Sequence, residues 1–66
     1  MDERVDQAGI LLAIVAGILE DASALAASAD TVRDPAGLDA IQRALVDAGT
    51  LMAAVRVLVR DAALAA

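Results

Sequence analysis

Asp34-Pro35-Ala36-Gly37 is the strongest punctuation in this 66-residue chain, and it separates two long stretches that share one apolar spacing. Proline has no backbone N–H and a fixed φ, so within a helix it belongs in the first turn. The Asp just before it is a favoured N-cap. A second helix is therefore predicted from Pro35 to about Ala65. Upstream, Asp2 is a plausible cap for a first helix over about 2–30, and residues 30–34 form the turn. Gly37 falls in the first turn, where its cost is small. No alternating pattern suggests a strand, and the 18 alanines argue against one.

The spacing adds register. In the first helix Ala8, Leu11, Val15, Ile18, Ala22, Leu25, Ala29 and Val32 step by three and four. In the second, Leu38, Ile41, Leu45, Ala48, Met52, Val55, Val59 and Ala62 do the same. Each is a sustained heptad seam. Pairing positions whose numbers sum to 70 sets Leu25 on Leu45, Ala22 on Ala48, Val15 on Val55 and Ala8 on Ala62. Val32–Leu38 and Ala29–Ile41 close the turn end. The predicted fold is all-α: a single antiparallel helix-turn-helix hairpin over 1–66, its helices about 45 Å long at about 1.5 Å per residue.

Such a hairpin lacks the usual supports of a small domain. A chain of about 60 residues buries only about 60 % of its unfolded surface, so disulfides, a metal or another chain normally assist it. With no Cys and no His, disulfides and ordinary zinc sites are excluded. Association remains. On a helical wheel the large apolar residues of the first helix cover roughly 220°, against about 100° for a one-sided helix. Ile10 and Ile14 extend the seam on one edge, and Val5, Leu12 and Leu19 on the other. Leu51 and Leu58 widen it in the second helix. These seven residues predict a self-association surface, and a homodimeric four-helix bundle is the simplest closed solution.

Two further apolar strips point to a second kind of partner. Gly9, Ala13 and Gly17 form a ladder of small residues of the type that admits a close helix. Val46, Val57 and Leu64, with Ala53, make a stripe on the second helix. Both are candidate docking strips for another protein.

The remaining polar features read as structural. Arg56 and Arg60 complement the C-terminal end of one helix dipole, and Asp2, Glu3 and Asp6 the N-terminal end of the other. Asp30, Asp34 and Asp39 lack calcium-loop spacing. Glu20 and Asp21 are adjacent, point about 100° apart and do not converge on a substrate. His, Cys, Lys and Tyr are absent, which removes most general acids, bases and nucleophiles, so no enzyme, cofactor or metal is expected. A net charge of -5 and no aromatic residue disfavour nucleic acid. In length and hairpin pattern the chain resembles repressor-of-primer-type RNA-binding bundles. The resemblance is architectural only, since the basic and aromatic residues of such a site are absent.

A membrane role is the alternative. The longest uncharged run, Gln7 to Leu19, falls short of the about 20 residues of a span, and extending it brings in Glu20 and Asp21. The acidic polar face would be repelled by anionic lipid. Met1-Asp2-Glu3 lacks the basic start of a signal peptide. The expectation is a complete, cytoplasmic gene product, and the composition fits a GC-rich bacterial genome. It would act as a non-enzymatic regulator or adaptor, or as the oligomerisation and docking segment of a larger assembly.

Overall fold

Asp2 opens the first helix by accepting a hydrogen bond from the Arg4 N–H at 2.8 Å. The structure, a computed structural model, describes residues 2–65. Helix α1 runs Glu3–Ala27 and helix α2 runs Pro35–Ala65, joined by a single 3-10 turn at Thr31–Arg33. Asp34 caps α2 as expected, its Oδ1 accepting from the Ala36 N–H at 3.2 Å. The two helices pack on each other as an all-α hairpin.

α1 ends three residues before the predicted position 30. Ser28 turns to φ -71°, ψ 128° and leaves the helix. The Thr31 side chain then replaces the missing turn: its hydroxyl donates to the Leu25 carbonyl at 2.6 Å, and Thr31 is buried. Ser and Thr favour such side-chain-to-backbone bonds over continued helix. Ala29 and Val32 therefore leave the seam, and Val32 is 75 % exposed. The pairs Ala29–Ile41 and Val32–Leu38 do not form that end of the core. Thr31 against Gly37 does. A Cβ on Gly37 would stand 3.0 Å from the Asp34 Oδ2 and 3.4 Å from the Thr31 Cγ2, so the connection approaches α2 where only glycine leaves room.

Between the helices lies a thin core. Its central row is Ala8, Val15 and Ala22 on α1 and Ala48, Val55 and Ala62 on α2, all buried, with half-buried Ile41 continuing the α2 row toward the turn. All six buried residues are predicted seam positions. A second row flanks it: Leu11, Ile18 and Leu25 with Ala44, Leu51 and Leu58, each half-buried. Here α2 departs from the predicted register. Gly37, Ala44, Leu51 and Leu58 turn inward, and Leu38, Leu45, Met52 and Val59 lie one residue round the helix. Apolar rows stand on both sides of the central row of α2, and one partner helix covers only one of them. The Ala-rich centre draws the helices close and presses the larger side chains to the flank.

Candidate interaction surface

Three adjacent apolar rows run along each helix, and the hairpin covers two. The uncovered row is Val5, Leu12 and Leu19 on α1. On α2 it is Leu38, Leu45, Met52 and Val59. All seven are exposed, from 36 % at Met52 to 53 % at Val5. In each helix this row follows the central row by four residues, which puts it about 50° round the axis at a 3.5-residue period. Two antiparallel helices rotate in opposite senses for a viewer at one end. Equivalent rows therefore fall on the same side of the hairpin, and the seven residues form one surface.

The opposite side confirms the arrangement. There an open groove of about 260 Å³ is lined by Ile18, Asp21, Ala40, Arg43, Ala44 and Asp47. Asp21, Ala40 and Asp47 each precede a central-row residue by one, so equivalent positions of the two helices again share a side. The groove owes its depth to Ala40 and Ala44, whose small side chains leave a hollow beside Ile18. Its rim carries two carboxylates and a guanidinium. No group of carboxylates among the described residues is placed to hold a metal ion.

The predicted self-association residues thus divide. Val5, Leu12 and Leu19 lie on the apolar side. Ile14 is on the groove side, and Ile10 is further round the back of α1. Leu51 and Leu58 are half-buried within the hairpin itself and are not free to form a separate surface. Their place is taken by Leu38, Leu45, Met52 and Val59, which the spacing assigned to the seam. The signal that could have separated them is Gly37, where the connection approaches α2 too closely for a side chain.

The candidate docking strips are exposed and separate. Gly9, Ala13 and Gly17 follow the outer side of α1, and a Cβ at either glycine would meet nothing within 4 Å. Val46, Val57 and Leu64 follow the outer side of α2, with Leu64 78 % exposed. The strips face away from each other and form no shared groove.

The open end of the hairpin is tied by a side-chain-to-backbone bond. Arg4 Nη1 donates to the Asp61 carbonyl at 2.9 Å, joining the start of α1 to the last turns of α2. Among the described residues the one ion pair is Arg60–Asp61 at 3.9 Å, within α2 and exposed. An exposed pair of this kind contributes about 0–1 kcal/mol.

α1 also has a property that the uncharged run of 13 residues understates. By length and composition it is apolar enough to cross a membrane, since an 18-residue stretch within Glu3–Ala27 holds at most two charges. Comparison of the chain with protein-family models, curated proteins and solved structures finds no match.

Proposed function

We propose that this chain is a non-enzymatic protein–protein interaction module, a small cytoplasmic regulator or adaptor that works as a homo-oligomeric helical bundle. The observation that carries this reading is the one-sided apolar surface. Seven large side chains, none charged, stand half-exposed along one side of a hairpin whose own core is built of Ala, Val and half-covered Leu and Ile. Contiguous exposed apolar patches of this kind mark interaction sites. The acidic remainder of the surface keeps such an assembly soluble. The outer strips, Gly9–Ala13–Gly17 and Val46–Val57–Leu64, are left for a different protein once the apolar side is occupied. The same architecture would serve as the oligomerisation and docking segment of a larger assembly.

The test is affinity capture from the native host with the wild-type chain and with the Val57→Glu/Leu64→Glu variant. Recovery of a distinct protein by the first and its loss from the second supports the adaptor reading. Recovery of the chain alone by both overturns it.

A second reading, membrane association, is favoured by the apolar length of α1. Its measurement is flotation with liposomes of zwitterionic and anionic composition. A chain that leaves the soluble fraction for either vesicle would replace the adaptor reading with this one.

A further inference from the structure

The hairpin exposes far more surface than a folded monomer of its mass. Its accessible area is 4831 Å². A monomeric protein of 6.6 kDa exposes about 3,900 Å² by the usual mass scaling. The excess is about 900–1,000 Å², and a standard protein–protein interface covers about 800 Å² on each partner. Shape gives the same result. The chain measures 50 × 15 × 11 Å with a radius of gyration of 15.2 Å, against about 11 Å for a compact chain of this length. It is a single layer, two helices wide and one helix thick.

We infer that the occupant of the apolar side is a second copy of this chain, packed face to face through Leu12, Leu19, Leu45, Met52 and Val59 in a two-fold four-helix bundle. The inference rests on the proposed self-association and deepens it by naming the face. The excess area matches one copy of a standard dimer interface. A second copy adds a layer two helices wide and so covers the full 15 Å width of the face, which one added helix would not. The face suits itself. Its central stretch, from Leu12 to Leu19 and Leu45 to Val59, has no charge in its own row. Ala16 and Ser23 border it on α1 and Gly49 on α2, small residues that let a second layer seat closely, and Gln42 and Arg56 stand at the equivalent border positions of α2. Both copies are acidic, but their charges lie outside the row, with Asp21 and Asp47 on the groove side. The two-fold operation leaves both grooves and both outer strips facing outward.

The test compares faces by sedimentation equilibrium and circular dichroism at micromolar concentration. Wild type is expected as a helical dimer. Leu19→Glu/Met52→Glu is expected to weaken association at least tenfold. Ile14→Glu on the groove side and Val46→Glu on the back are expected to remain dimeric. Because the double variant could lose its fold together with its partner, single-cysteine variants give an independent readout, and the chain has no other Cys. Mild oxidation should cross-link Leu19→Cys into a covalent dimer and leave Ile14→Cys and Val46→Cys largely monomeric. A folded wild-type monomer would overturn both this inference and the proposed function. A wild-type dimer broken by Ile14→Glu or Val46→Glu, or cross-linked through those positions and not through Leu19→Cys, overturns the face assignment alone.

Discussion

The two sides of the hairpin come from the same heptad repeat and differ by one row. On the groove side, the residue before each central position is Gln7, Ile14 or Asp21 in α1 and Ala40, Asp47, Ala54 or Asp61 in α2. Small and charged residues dominate, and the result is a shallow hollow with a solvated rim. On the apolar side, the residue four after a central position is Leu12 or Leu19 in α1, with Ala26 nearest the turn, and Leu45, Met52 or Val59 in α2. One side is finished against water, and the other is built like half of a core. A repeat of two apolar rows yields a hairpin seam. A third row on the same side of both helices gives a hairpin that needs a second layer.

The sharpest way to break this contrast is charge. Glutamate at Leu19 and Met52 should cost at least tenfold in association, while glutamate at Ile14 on the groove side should leave the dimer within about twofold. Equal effects on the two sides would remove the distinction.

Volume offers a second probe. Leucine at Ala22, in the buried central row, would overfill a core that its alanines set at close approach. Such insertions cost about 1–3 kcal/mol, read by urea denaturation at fixed protein concentration. Leucine at Ala44 instead enters the open groove beside Ile18. Covering roughly 40 Å² of apolar surface there is expected to stabilise by about 1 kcal/mol at about 25 cal/mol per Å². It should leave the association constant unchanged. A large change in association with Ala44→Leu would show that the groove side is also an interface.

The smallest effects separate the turn from the helix surface. Gly37→Ala places a methyl group 3.0 Å from the Asp34 Oδ2, which must move and weaken the cap of α2. The expected loss is about 1 kcal/mol, the usual size of a cap. Gly17→Ala, on the outer side of α1, meets nothing within 4 Å and should gain about 0.8–1 kcal/mol from helix propensity. Thr31→Val removes the hydroxyl bond to the Leu25 carbonyl, with an expected loss of about 1 kcal/mol in the same denaturation series.

These local features also mark how much was legible in the sequence. Both N-caps, the start of α2 at Pro35 and the buried positions Ala8, Val15, Ala22, Ala48, Val55 and Ala62 follow from spacing and capping chemistry alone. The end of α1 did not, because Ser28 and Thr31 exchange helical bonds for side-chain bonds, and periodicity carries no mark of that exchange. The register of the α2 flank was hidden for a different reason. Leu38, Leu45, Met52 and Val59 compete with Gly37, Ala44, Leu51 and Leu58 for the partner helix, and both rows fit a step of three and four. The turn end decides it, since the connection meets α2 at Gly37 too closely for a side chain. The same ambiguity misplaced half of the interaction surface. Residues assigned to the seam by size were the ones left outside it, and Leu51 and Leu58, assigned outside, are half-covered within.

Sedimentation equilibrium of the wild-type chain across the low micromolar range tests most directly whether another copy covers the apolar side. The predicted result is a helical species of twice the 6.6 kDa chain mass that dissociates on dilution. A folded, monodisperse species at the mass of one chain throughout that range would contradict it.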